Sequence, residues 1–302
     1  MLDVLIRAGC FVGIIILGFL LKKIGVFKDS DYSVLSAIVI KITLPAAIIT
    51  NIANKEIDLT MFTVTLLGFG FGLLYVVLGF LLNLRKSKEQ RAFEILNLPG
   101  YNIGCFAMPF VQSFLGPIGV ITASLFDIGN AFVCLGGSYS IATMVKDGER
   151  FSFKRIIKTL LKSIPFVLYV IMPLLCIAKV RIPDAIITFA GIVGNANPFM
   201  AMFIIGIGFK LTANKSQIGY IFKILSIRYL TALVLALFIY FILPFDGEIQ
   251  KALILLVFSP IGALVPVFTA QLREDLGLSS AINSIAIICS IVFMVLILGI
   301  IP

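Results

Sequence analysis

Apolar residues run along this chain in stretches of about 20, separated by short polar hinges. Windows of about 19 residues locate the stretches near 4–22, 32–53, 60–84, 92–113, 117–145, 159–178, 185–209, 218–244, 250–271 and 278–301. They lack the period-two alternation of strands and are far longer than a barrel strand needs. In hydrocarbon the backbone has no water to bond, so a long apolar run must satisfy its own N–H and C=O groups as a helix. The pattern therefore predicts an all-α integral membrane protein of ten transmembrane helices.

Composition narrows the picture in the same direction. Of the 302 residues 60% are hydrophobic and 13% charged, and the mean hydropathy is +1.14, which leaves little room for a soluble domain. The net charge of +9 would suggest nucleic acid in a soluble protein. Here the basic residues alternate between loops. Lys22, Lys23, Lys28, Arg85, Lys86, Lys88, Arg91, Lys146, Arg150, Lys154, Arg155, Lys158, Lys210, Lys215 and Arg273 collect on one side, and only Lys55, Lys179, Arg181 and Lys251 on the other. The positive-inside rule then puts both termini outside the cytoplasmic membrane and assigns no nucleic-acid partner. The first run, followed by Lys22 and Lys23 without a small-residue cleavage pattern, is expected to be a retained span. The five cysteines lie within apolar runs, and the chain has no histidine, so neither disulfides, a metal site, a cofactor nor catalytic residues are expected.

The most basic connection, 146–158, divides the chain into a first five-helix unit (1–145) and a second (159–302). Because five is odd, the second unit enters the membrane in the opposite sense, as in an inverted repeat. The fourth span of each half carries a matched pattern: Asn102 and Pro109 in LPGYNIGCFAMPF, and Ser259 and Pro266 in VFSPIGALVPVF, seven apart in both. Pro45 and Pro198 mark the second span of each half. Proline removes a backbone donor and clashes with the carbonyl four residues back, so Pro109 and Pro266 should break spans four and nine near mid-membrane. Paired broken helices aim free N–H groups and positive dipole ends at one point, which suits a carboxylate, or else are simple proline kinks packed by neighbours. Asn102 and Ser259 are the candidate side chains at that level, and Asn197 a candidate beside Pro198.

Charged residues inside the spans add to this. Asp127, about ten residues into span five, is a functional candidate by its depth, with Asn130 on the same helical face. It would carry a coupled proton, or be a carboxylate neutralised by a partner. Lys41 in span two is the expected partner, or attracts the anion itself, or snorkels to the basic side. Arg228 is expected near the inner interface with its head snorkelling, because Lys223 suggests a late start for span eight; Glu94 is expected to be interfacial. Phe106, Phe110 and Phe126 are candidates for an apolar wall. The glycines at 68, 70, 72, 206 and 208 are read as close helix contacts.

On the N-x6-P pattern of Asn102 to Pro109, the LVPVF stretch ending at Phe268, LPAA at Leu44 to Ala47, and the run from Asn197 to Gly206, the chain resembles the auxin efflux carrier family. That family includes plant auxin carriers and bacterial malate and malonate permeases, and this chain is similar to a compact prokaryotic member. The resemblance implies two inverted five-helix repeats, similar to the bile acid sodium symporter fold, with helices four and nine crossing at mid-membrane around the substrate. It also implies an elevator motion, a scaffold of spans one, two, six and seven, and a homodimer. The expected function is secondary transport of a small organic anion, a carboxylate such as malate, malonate or an auxin-like acid. A sodium-coupled symporter of the bile-acid type, and a non-transporting sensor or channel, remain alternatives, and coupling to protons, sodium or neither stays open. An enzyme is not expected, since no nucleophile with a base is visible.

Overall fold

The computed structural model describes residues 2–210, 214–245 and 247–300. It is all-helical, with 80% helix and no strand among the described residues. In chain order the α-helices are α1 (Leu2–Lys23), α2 (Asp31–Ile38), α3 (Leu44–Ile52), α4 (Thr63–Leu81), α5 (Lys88–Asn97), α6 (Met108–Phe114), α7 (Gly116–Phe132) and α8 (Ser138–Asp147). They continue as α9 (Phe153–Lys162), α10 (Ile164–Ile177), α11 (Asp184–Gly194), α12 (Asn197–Gly208), α13 (Ile218–Phe241), α14 (Gly247–Val257), α15 (Val265–Gln271) and α16 (Leu276–Ile300). Seven helical stretches are long and apolar enough to cross a membrane, and eight if the bent pair α9–α10 is one span.

Several predicted runs are resolved into pieces, each for a local reason. Residues 92–113 and 250–271 are each split by non-helical backbone, at 98–102 and 258–264. The run expected from 159 is two helices bent by 80°. Ser163 takes an extended conformation there, its hydroxyl caps α10 at Phe166 N–H, and Pro165 follows in the first turn, the arrangement that starts a new helix. The connection 146–158 is helical at both ends, since α8 runs to Asp147 and α9 begins at Phe153. Lys223 does not delay span eight, because α13 already starts at Ile218.

Two π-helical turns, Val39–Thr43 and Ile103–Ala107, link α2 to α3 and precede α6, and α7 joins α8 through Val133–Gly137, a segment kinked at Gly136, whose backbone is not helical. Both π turns run directly into a proline, Pro45 and Pro109. A proline has no N–H, so the carbonyl four residues earlier loses its α-helical donor and the wider turn becomes affordable.

Packing sorts the helices into two groups. In one, α1 lies on α12 and α3 lies on α10 and α11. In the other, α4 packs on α7, α5 on α8, and α13 and α15 on α14 and α16 respectively, while α7 also touches α3 and α10. The tightest contacts use glycine on both sides. A Cβ on Gly18 would strike the Phe203 carbonyl, and one on Gly206 the Ile15 carbonyl; Gly68 and Gly129 repeat this between α4 and α7 against Phe126 and Thr65. Small residues let backbones approach where lipid supplies no hydrophobic drive. Gly70 differs, with open space where its side chain would stand.

Glu94, expected at the interface, is fully buried within the protein and accepts hydrogen bonds from Lys223 Nζ (2.7 Å), Tyr220 Oη (2.9 Å) and Asn83 Nδ2 (2.6 Å), tying α5 to α13 and to the turn after α4. A buried carboxylate needs such partners to be tolerated.

Candidate functional site

The two helix breaks meet. The Asn102 N–H donates to the Pro260 carbonyl at 2.9 Å, joining the first break to the second. Pro266 occupies the first turn of α15 directly after its break, where a missing N–H costs nothing, whereas Pro109 lies inside the helical stretch Ile103–Phe114, where its π turn meets α6. The break itself lies N-terminal to them. Cys134 fills the space between: a Cβ on Gly100 would come within 2.9 Å of its sulfur, and one on Gly262 would overlap it. Gly100 also has φ +79°, a left-handed backbone that favours glycine.

Arg228 holds both breaks from behind. It does not snorkel: it is 0% exposed. Its guanidinium donates to the Leu98 (2.6 Å) and Gly100 (2.9 Å) carbonyls of the first break and to the Ser259 carbonyl (2.7 Å) of the second. Tyr75 and Tyr101 present their rings to it at 5.3 Å each, and Tyr75 Oη donates to its carbonyl at 2.8 Å. The carbonyls at a helix C-terminus carry partial negative charge, and those beyond α5 and α14 are what this cation meets in place of a carboxylate. Its depth, ten residues into an apolar helix, marks it by the same rule that marks Asp127.

In front of the breaks lies a cavity of about 580 Å³, lined by Tyr101 to Cys105 from the first break and by Gly262 to Leu264 and Pro266 from the second. Both π turns border it, through Ile40 and Cys105, as does the kinked segment at Cys134, and π turns recur at functional sites. Asp127 and Asn130 stand on its α7 wall. Asn130 donates to Asp127 Oδ1 (2.7 Å) and to the Tyr101 carbonyl (2.9 Å), and accepts from Tyr101 N–H (2.9 Å), so one amide pins both the carboxylate and the broken backbone. Three further buried polar atoms on the lining, Tyr101 Oη, Tyr169 Oη and Asn283 Oδ1, make no hydrogen bond of ordinary length among the described residues. A cavity that keeps donors and an acceptor unpaired is suited to a polar guest.

The other sequence candidates fall elsewhere. Ser259 is fully buried behind the wall with its hydroxyl unpartnered, and does not line the cavity. Pro109 is likewise buried away from the lining. Asn197 is buried at the start of α12, accepting from Thr43 Oγ1 at 3.1 Å. Lys41 is exposed on its π turn and makes no ion pair with Asp127. The expected pairing is replaced by the Asn130 amide. Phe106, Phe110 and Phe126 are core residues, not cavity wall.

One end of the cavity is charged. Exposed Lys162, Lys210 and Asp29 stand there. Asp29 bridges Lys22 (2.7 Å) and Lys210 (3.5 Å). The hydrogen bond and charge of Lys22, with Lys210 adding to them, hold its carboxyl below the usual carboxylate range.

No group of three or more cysteines, aspartates and glutamates with metal-binding geometry occurs among the described residues. No curated protein matches the chain. Residues 11–154 match the family described as membrane transport protein, which takes in α1 to the start of α9, and with them the first break, Asp127 and Asn130. That family is the membrane transport protein domain of the auxin efflux carriers, a family of transporters and not of enzymes, and the match extends over the first half of this chain.

Proposed function

We propose that this protein is an elevator-type secondary carrier of a small organic anion, built as two inverted five-helix repeats whose broken fourth and ninth helices cross at mid-membrane. The observation that carries the reading is the cavity before the two breaks, with Asn102, Tyr169 and Asn283 on its lining and Lys162 and Lys210 at its rim. The basic rim attracts an anion, and the Tyr169 hydroxyl, with Asn102 and the backbone near the α6 N-terminus, replaces its hydration. Pro266 contributes wall, and Asp127 with Asn130 sets the polarity opposite. The rim residues belong to the basic loops, so the cavity opens to the cytoplasm when both termini are outside. The division of packing between the α1, α3, α11, α12 group and the α4, α5, α14, α16 group suits a scaffold and a moving body.

A sodium-coupled carrier needs carbonyl oxygens free to coordinate a cation. At this crossing those of Leu98, Gly100 and Ser259 already serve Arg228. This favours a proton-coupled or uncoupled carrier, with Asp127 the group to carry a proton. The test is uptake of labelled dicarboxylates and indole acids by proteoliposomes under imposed pH, sodium and voltage gradients. Anion flux unaffected by sodium is expected; absence of flux for every anion tried would overturn the carrier reading.

A further inference from the structure

Helix α9 stands apart from the spans. It turns by 80° from α10, so with α10 crossing the bilayer, α9 lies close to the membrane plane. At about 100° per residue, Phe153, Ile156, Ile157, Leu160 and Leu161 fall on one side and Lys154, Arg155, Lys158 and Lys162 on the other. The apolar side divides again. Ile156 and Leu160 are buried against Ala131, Phe132, Leu135 and Val170. Phe153 and Leu161 are 60% and 66% exposed, and Phe151 just before the helix 47%. The four basic side chains are exposed, with only a long 3.9 Å pairing of Arg155 to Glu149 among the described residues.

A solvated charged face accounts for the lysines but not for the bare aromatic and leucine flank beside them. A helix in the headgroup layer accounts for both: the apolar flank dips among acyl chains while the basic face meets phosphates. We infer that α9 is a membrane-surface helix that binds the headgroups of anionic phospholipids through Lys154, Arg155 and Lys158. The same helix reaches the transport site. Thr159 and Lys162 belong to the cavity rim, and Ile156 packs on Gly136, two residues from the Cys134 that separates the breaks, so tightly that a Cβ there would lie 3.3 Å from its Cγ1. Anionic lipid therefore acts on a wall of the cavity as well as on the surface.

The chain has no tryptophan, so Leu161→Trp gives a single reporter at an exposed position. The full-length variant is reconstituted in phosphatidylcholine vesicles containing a fixed fraction of brominated phosphatidylglycerol or of brominated phosphatidylcholine. The expected result is quenching by the anionic lipid at least about fivefold stronger than by the neutral one, since a single basic residue at an anionic surface is worth about that much and three are engaged. Adding Lys154→Gln, Arg155→Gln and Lys158→Gln brings the ratio to about one. Removing equal charge in the loop before α5, by Arg85→Gln, Lys86→Gln and Lys88→Gln, leaves it unchanged. Equal quenching by both lipids in the Leu161→Trp protein overturns the inference without any charge variant. Loss of the preference in the control triple variant, or on adding excess inorganic phosphate, overturns it too, pointing to general attraction or to a small-anion site.

Discussion

The two broken segments have the same layout in sequence and different surroundings in space. Each ends an incoming helix, leaves carbonyls without helical donors and carries a proline in the helix that follows, and the backbone of one bonds to the backbone of the other. Yet the first break turns its side chains toward the cavity, where Asn102 and Tyr101 line the wall, while the second turns Ser259 to the rear and leaves glycine and alanine in front. What they share is a requirement of the backbone. A matched motif in two halves of a chain reports where helices must stop, and the environment then decides which copy carries chemistry.

The largest test of what is shared is Arg228. Arg228→Leu leaves three carbonyls from both breaks without their donor, each worth about 1–3 kcal/mol when buried. A loss of at least about 3 kcal/mol is expected, read as a lowered thermal unfolding midpoint in detergent. Arg228→Lys should fall between, since one ammonium does not reproduce the fork. Wild-type stability in Arg228→Leu would mean that the breaks hold themselves.

The largest test of what differs compares the paired side chains. Asn102→Ala should weaken anion binding by about tenfold or more, the worth of a hydrogen bond to a charged group, while Ser259→Ala leaves binding unchanged. Equal losses in equilibrium binding would restore the symmetric reading.

A third comparison uses the cysteine wedge. Gly262→Ala should cost about 1–3 kcal/mol by overpacking, and Cys134→Ala in the same chain should return most of it. Gly100→Ala should be rescued less, because its left-handed backbone adds about 1–2 kcal/mol that no cavity relieves. Unfolding midpoints of the four variants decide it.

The smallest effect lies at the rim, away from both breaks. The Asp29 carboxyl is depressed in the folded protein, so its contribution is full above the unfolded value and lost as the pH falls through the folded one. At 66% exposure that contribution is a few tenths of a kcal/mol. Asp29→Asn should remove this acid-side slope from the stability profile and leave neutral pH nearly untouched.

Much of this was legible in the chain because lipid imposes long apolar runs and proline imposes stops. The predicted runs are largely helix, those at 92–113 and 250–271 being interrupted, and Asn102, Asp127 and Asn130 all line the one cavity. The errors came from side-chain direction, which hydropathy does not encode. The charge of Lys223 suggests an interfacial Arg228 and its place in the run an interfacial Glu94, yet both are buried by partners far along the chain, Arg228 by carbonyls at 98, 100 and 259 and Glu94 by Lys223. Tyr101, Tyr169 and Asn283 carried no local signal, since a lone tyrosine or asparagine in an apolar run looks alike whether it faces a cavity or a neighbouring helix. Depth offers Lys41 a pairing with Asp127, an anion or a path to the surface, and the exposed side chain leaves Asp127 to Asn130.

The π turns at 39–43 and 103–107 each spend one residue more than an α-turn of the same height. That surplus is a length reserve stored in the cavity wall. Drawing it in would turn the chain on one side by about 100° relative to the other and exchange one lining side chain for its neighbour. A wall with two such turns would change what it shows to a guest while α3 and α6 stay helical.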